Sequence, residues 1–217
     1  MELIQDYLSK TKSAVQKVFE AYDSYLDLIR IPQRPGFFFF GDPDSEENRK
    51  AYDKWRIENK EVLEDRHRRD DEYVFELFAK STLAGTILQF ACTGIEIFSK
   101  NNLIPVGFEN IIKRNTKPIK FCIGRLIDEI PIGLIIYAGR NQAMHFDDKI
   151  LNEPSKTVFN KLANWYSPTF KKWFVNDHYD LDNDLIIHYA GNILYKLEWS
   201  QYIDYEQDML EMLQNNK

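Results

Sequence analysis

Residues 73–100 read YVFELFAKSTLAGTILQFACTGIEIFSK, and this run decides the fold class. Val74, Leu77 and Phe78, and after a gap Ile87, Leu88, Cys92, Ile95 and Phe98, follow helical spacing, which gives the helix an apolar side. Asn101 and Asn102 follow as stop signals. A helix this long with an apolar stripe is a core element, and Leu77, Ile87, Leu88 and Ile95 are expected to be buried together with Leu134 and Ile135.

Outward from that helix the pattern stays helical. Downstream, Ile119–Ile127 is expected to be a helix, Pro131 and Gly133 mark a break, and Leu134 to about Phe146 resumes the spacing. Further helices are expected at about 154–166 and 184–199, the second after the capping residues Asp182 and Asn183. Upstream, Leu3, Ile4, Tyr7, Leu8, Val15, Val18, Phe19, Tyr22, Tyr25, Leu26 and Ile29 define a long amphipathic helix that stops before Pro32. Pro32–Asn48 reads as a loop, and its four phenylalanines, Phe37–Phe40, are expected to plug the underside of the protein's own helices. Residues 46–72 are mostly charged, with Glu46 and Lys50, Glu64 and Arg68, and Asp65 and Arg69 at i,i+4 with the acid first, the favourable order for a solvated helix. Arg66, Arg68 and Arg69 make no basic surface, because Glu64, Asp65, Asp70, Asp71 and Glu72 surround them. Strand content is expected to be confined to minor hairpins. The expected fold is an all-α bundle, with an N-terminal helical extension over 1–70 packed on a helical domain over 71–217.

A chain of 217 residues with 15 Phe, 12 Tyr and 4 Trp is ample for one large domain with a real core. Its apolar runs, such as Ile132–Ala138, are broken well before the ~18 residues of a membrane span, and acids follow Met1 where an export signal would carry Lys or Arg. A cytoplasmic protein without membrane association is the expectation. Cys92 and Cys122 lie inside apolar patterns without metal spacing and read as buried thiols. The net charge of −6 excludes a surface that coats polyanions, so any nucleic-acid site must be local.

One stretch carries chemistry. Gly139-Arg140-Asn141-Gln142-Ala143-Met144-His145-Phe146 places a permanent cation, a carboxamide and an imidazole within six residues at the end of an apolar segment. On a helix Asn141 and His145 are i,i+4 neighbours, and Arg140 has the length to reach round to the same anion. Guanidinium grips phosphate through a planar fork, while imidazole, with a reference pKa of about 6.5, moves protons near neutrality. Cleavage of RNA by its own 2′-hydroxyl needs a base, an acid and stabilisation of a crowded phosphorane, and Arg with His covers these without metal or cofactor. With 10 Arg, 15 Asn and 4 His in the chain, the string Arg-Asn-x-x-x-His is expected by chance only ~0.01 times. Spacing alone leaves a second reading open: Arg140 and His145 as helix-terminal residues that satisfy carbonyls or pair with Asp147 or Asp148.

Arg140-Asn141-x-x-x-His145, late in a helical chain and preceded by Ile132-Gly-Leu-Ile-Ile-Tyr-Ala138, resembles the signature of the HEPN superfamily. The strict motif covers six residues, and the helical context extends the similarity over Tyr73 to Trp199. The resemblance implies a helical bundle that dimerises with two motifs facing across the two-fold. It implies a metal-independent endoribonuclease of toxin-antitoxin or anti-phage defence, leaving a 2′,3′-cyclic phosphate and a 5′-hydroxyl, with RNA as substrate and an antitoxin or defence protein as partner. Other members only bind RNA, a nucleotide or a protein. By position, Arg140 matches the phosphate-contacting arginine, His145 the catalytic histidine and Asn141 the polar residue after the arginine. Asp147 stands where one subgroup has a tyrosine that its antitoxin nucleotidylates, so that mode of control is not implied here. A dimer also follows from the chemistry, since one motif holds one imidazole while the reaction uses two proton-transfer groups.

Other constellations carry less. Lys113, Arg114, Lys117, Lys120 and Arg125 form the densest positive stretch before the motif and are either a guide for an RNA strand or a solvated edge. Asp180-Leu-Asp182-Asn-Asp184 resembles the start of a calcium loop, but Leu185 and Gly191 stand where Gly and a bidentate Glu are needed. His178 and His188 lack metal-site spacing.

Overall fold

The computed structural model describes residues 2–28, 37–39, 41–42, 44–147, 151–183, 186 and 188–214, with side chains for all of these except 2, 3, 26–28 and 66–74. The described chain is predominantly helical: α1 (Glu2–Leu28), α2 (Glu46–Glu58), α3 (Lys60–Phe98), α4 (Ile132–Met144), α5 (Ser155–Ala163), α6 (Ala190–Leu197) and α7 (Tyr202–Gln214). A short 3₁₀ turn spans Lys117–Phe121, and two antiparallel hairpins pair β1 (Leu126–Ile127) with β2 (Ile130–Pro131) and β3 (Asn164–Ser167) with β4 (Lys172–Val175). The chain divides into one compact unit of residues 1–23 with 80–217 and another of residues 24–79, whereas residue 70 lies inside α3.

In the larger unit α4 is the central element. Its residues Ile132, Leu134, Ile135, Ile136 and Ala138 are all fully buried, because the helix presents apolar side chains all round to its neighbours. On α3 the buried ladder is Ala84, Ile87, Leu88, Ala91, Cys92 and Ile95, on α5 Val158, Phe159 and Leu162, and on α6 Ile193, Leu194 and Leu197. Burying one such Leu or Ile contributes about 1.5–3 kcal/mol relative to exposure, so these ladders outweigh any surface ion pair in holding the bundle. Two glycines let α4 approach its neighbours. A Cβ at Gly133 would overlap the Phe121 carbonyl oxygen, and one at Gly139 would stand 2.9 Å from Ile193 and 3.0 Å from Leu88. Helix α6 ends in a Schellman arrangement: Glu198 takes a left-handed φ of 61°, and the N–H groups of Glu198 and Trp199 donate to Tyr195 and Leu194.

In the smaller unit Ser45 caps α2 by accepting from the Asn48 N–H at 3.3 Å, and α2 buries no residue. Lys50 pairs with Glu46 at 2.8 Å and Lys60 with Glu64 at 3.7 Å, exposed contacts worth a few tenths of a kcal/mol each. The pairs expected at Arg68 and Arg69 lie outside the described side chains. Phe37 packs on Tyr52 and Trp55 of α2 at ring distances of 5.4 and 5.6 Å, while Phe38 is 80% exposed. The expected plug is not formed by the described residues: Phe37 is only partly covered, and Phe38 and Phe39 are exposed; Phe40 lies outside the described residues.

Several expectations are corrected. Leu77 is 38% exposed, so of six expected core residues only Ile87, Leu88, Ile95, Leu134 and Ile135 are buried, and the ladder on α3 begins at Ala84. The helix expected over Ile119–Ile127 is instead the 3₁₀ turn followed by a hairpin. Gly124 adopts φ 90°, which no continuing helix tolerates, and Asp128 and Glu129 at φ 49° and 63° form the two-residue turn that suits a hairpin. Residues 164–166 leave the helical path to start β3, α6 begins at Ala190 rather than 184, and α7 was not anticipated. By length and composition Phe75–Phe98 is long and apolar enough to cross a membrane, contrary to the sequence reading, and 44% of that window is buried within the protein.

Candidate functional site at the C-terminal end of α4

Arg140 and Asn141 occupy the last turn and a half of α4, which packs on α5 and approaches Leu88 and Gln89 of α3. Arg140 Nε donates to Gln89 Oε1 of α3 at 2.7 Å, and its Nη1 donates to Asn141 Oδ1 at 3.2 Å. Asn141 Nδ2 in turn donates to Ser155 Oγ, the first residue of α5, at 3.1 Å. Gln89 is itself held, since its Nε2 donates to Thr93 Oγ1 at 3.2 Å and that hydroxyl donates to the Gln89 carbonyl at 2.9 Å. A continuous chain from Thr93 through Gln89, Arg140 and Asn141 to Ser155 therefore ties three helices together at the motif. A guanidinium has five N–H donors. Among the described residues two of those on Arg140 are engaged, leaving one on Nη1 and two on Nη2, enough for a planar, bidentate acceptor.

One turn beyond Asn141, His145 caps α4 with φ −130° and ψ 38°, and its backbone N–H is shared between the Asn141 and Gln142 carbonyls at 3.1 and 3.2 Å. Its side chain is exposed. Gln142 is buried, and its Oε1 accepts from the Tyr189 N–H at 2.9 Å, which locks the start of α6 to the same turn. Phe146 stacks on His188 with ring centres 6.0 Å apart. Burial holds the His188 imidazole down at about 4, so it is neutral near pH 7. Its Nδ1 accepts from the Ala190 N–H at 3.4 Å, which puts its own proton on Nε2. Burial also pushes the Cys92 thiol up to about 12, against the opposing pull of Arg140 and Lys117, and raises Cys122 to about 12. Both are protonated thiols and poor ligands or nucleophiles at neutrality.

The five basic candidates separate. Arg125 clamps the fold: Nε and Nη2 grip Asp208 at 3.0 and 3.2 Å and Nη2 reaches the Leu197 carbonyl at 2.7 Å, while Trp199 Nε1 donates to the same carboxylate at 2.8 Å. Lys117 pairs with Glu96 at 2.7 Å, and Lys120 Nζ donates to the Glu96 carbonyl at 2.6 Å, so both fasten the end of α3. Lys113 and Arg114 are exposed, in the turn before the 3₁₀ helix. The Asp180 to Asp182 segment is a turn, with Asp180 Oδ1 accepting from the Asp182 N–H at 3.1 Å, and Asp184 lies outside the described residues. Among the described residues no three His, Cys, Asp or Glu side chains are grouped to hold a metal.

Gln89, Ser155 and His188 complete the site without having been singled out for it. Gln89 left a signal, a lone carboxamide within the apolar run of α3; Ser155 left none. Compared with family models, curated proteins and solved structures, the chain matches none.

Proposed function

We propose that the C-terminal end of α4 is the working end of a metal-independent endoribonuclease of HEPN type acting as a homodimer. The observation that carries this reading is the fixed guanidinium of Arg140, held at Nε by Gln89 and at Nη1 by Asn141 with three donors left over, about a turn from the exposed His145. Such a cation is pre-oriented for a phosphodiester, so little ordering entropy is lost when it binds. His145 takes the proton from the 2′-hydroxyl, whose oxygen attacks phosphorus as the bond to the 5′ oxygen breaks. Arg140 stabilises the charge on the equatorial oxygens, and His145 of a two-fold copy protonates the leaving 5′ oxygen. The products are a 2′,3′-cyclic phosphate and a 5′-hydroxyl. Asn141 orients Arg140, to which it is bonded. The pathway that the resemblance implies, toxin-antitoxin or anti-phage defence, belongs to this same reading.

A second reading, a module that binds RNA, a nucleotide or a partner protein without cutting, is favoured by the structural use of Arg140, whose Nε ties α4 to Gln89 of α3 and whose Nη1 is taken by Asn141. The assay that separates them follows end-labelled RNA in excess EDTA. Cleavage should leave a cyclic phosphate and be lost in Arg140→Ala and His145→Ala, the latter by ~10²–10⁴-fold for a lost general acid-base group. Cleavage that needs a divalent ion, or that persists in His145→Ala, defeats the mechanism, and intact RNA with all three chains selects the binding module.

A further inference from the structure

Residues 154–175 hold four lysines and no acid, in a chain whose net charge is −6. They build α5 and the β3–β4 hairpin. Along that hairpin Trp165 stands opposite Phe174 and Tyr166 opposite Trp173, so aromatic pairs occupy both faces of a two-stranded ribbon. Trp165 and Phe174 stack at 4.9 Å, and Tyr166 and Trp173 meet at 5.6 Å. The ribbon is nevertheless open to solvent: Phe170 is 68% and Trp173 67% exposed, and Trp165 keeps 51% of its surface in water. Lys171, at a left-handed φ of 51°, and Lys172 stand at the turn, the latter with Nζ 4.6 Å from the Phe174 ring.

We propose that this hairpin is a binding platform for a single-stranded nucleic acid. Exposed π faces accept bases of any sequence by stacking, and neighbouring lysines neutralise the backbone that links them. The lysines decide between occupants. Protein interfaces are enriched in aromatics but depleted in lysine, whereas Lys171 and Lys172 beside exposed rings suit a chain of phosphates; Lys161 of α5 is turned to the Phe108 ring instead. This supplies the local positive site that a chain of net charge −6 requires if it is to hold a polyanion. The platform also connects to α4, because α5 begins at Ser155, bonded to Asn141, and ends where β3 begins. Nine residues at 1.5 Å each set the hairpin roughly 13 Å from Ser155 along the helix. The choice of RNA rests on the endoribonuclease reading; the stacking platform does not.

The test measures fluorescence anisotropy of labelled single-stranded DNA and RNA of one mixed sequence with the full chain. The DNA lacks the 2′-hydroxyl that cleavage needs, so binding is read independently of it. Both strands should bind, a duplex of the same sequence should bind more weakly, and Trp173→Ala should weaken single-strand binding by roughly 5- to 150-fold. Trp173→Tyr, which keeps a π face, should restore most of it. Lys171→Gln and Lys172→Gln should each flatten the salt dependence by ~0.7 in log–log slope, a readout that survives if the tryptophan variant does not fold. No single-strand binding at about 10⁻⁴ M, the weak end of non-specific affinity, overturns the proposal. So do equal binding by wild type and all three alanine or glutamine variants, and preference for the duplex. Self-association lost in Trp173→Ala without any strand binding overturns it in favour of a second copy. RNA left intact but bound through Trp173 removes the nuclease reading and leaves the platform standing.

Discussion

Gln89→Glu separates the structural use of Arg140 from its chemical use, because it should leave the fold intact or stabilise it while impairing phosphate binding. A carboxylate at the position of Gln89 Oε1 meets Arg140 Nε at 2.7 Å and turns a neutral acceptor into an ion pair. Both side chains are half-buried, so the gain is that of a partly screened pair, about 0 to 1 kcal/mol, and it must offset the lost Nε2 donation to Thr93 Oγ1. For a chain of this size that raises Tm by at most about 4 °C. A phosphate on the outer Nη edge of the same guanidinium lies across it, some 7 Å from the new charge. At an effective dielectric of about 20–40 the repulsion is roughly 1–2.5 kcal/mol, a loss of about 5- to 60-fold in affinity or in cleavage rate. Thermal melting read beside RNA cleavage distinguishes the effects. If Gln89→Glu melts like wild type or higher and yet cleaves RNA at the wild-type rate, the outer edge of Arg140 plays no part in the reaction. Gln89→Leu supplies the complement: it strands the Nε donor, costing about 1 kcal/mol, and should lower both readouts.

Gly133→Ala should destabilise the protein by about 3 kcal/mol or more in urea titration, since the added Cβ meets the Phe121 carbonyl, backbone that cannot yield, whereas Gly139→Ala meets only the side-chain ends of Ile193 and Leu88 and should cost about 1–2 kcal/mol. Asp208→Ala leaves the Arg125 guanidinium and the Trp199 indole N–H without their shared acceptor, and a loss of ~3 kcal/mol is expected by the same measurement. The lowered His188 makes the unfolded chain bind a proton before the folded one does, from its ordinary value of 6.5 down to about 4. Its contribution should be complete above pH 6.5 and lost progressively as pH falls towards 4, so the stability difference between wild type and His188→Gln should shrink across that window and stay constant from pH 7 to 8.

The parts of the fold that could be read in advance are those whose packing follows local period. Ile87, Leu88 and Ile95 on α3 and Leu134 and Ile135 on α4 sit where three-four spacing places them. Arg125 shows why 119–127 misled: its partner Asp208 is 83 residues away, and no window around Ile119 contains the contact that draws the chain into a hairpin after Gly124. The β3–β4 hairpin escaped for the opposite reason. With aromatics on both faces it lacks the alternation of a half-buried strand. Helix α7 did carry signals, with Asp204 Oδ2 accepting from the Ser200 and Gln201 N–H groups at its start and Tyr205, Met209 and Met212 buried at three-four spacing along it. At the site, the Arg140–Asn141 contact follows from adjacency, whereas Gln89 and Ser155 arrive from 51 and 14 residues away and only the packed helices bring them in.

Those same packed helices bear on the proton count that a transesterification needs. His188 is the imidazole that the fold brings beside the motif's end, stacked on Phe146, and it would be the economical second proton-transfer group within one chain. Its burial removes it from that role. An imidazole held down at about 4 is neutral at pH 7, so it has no acidic proton to offer a leaving 5′ oxygen, and its Nδ1 is turned to the Ala190 N–H. A group tuned so far from the working pH serves as packing against Phe146. On the nuclease reading His188 therefore does not supply the second imidazole, and that reading assigns the role to His145 of a second chain.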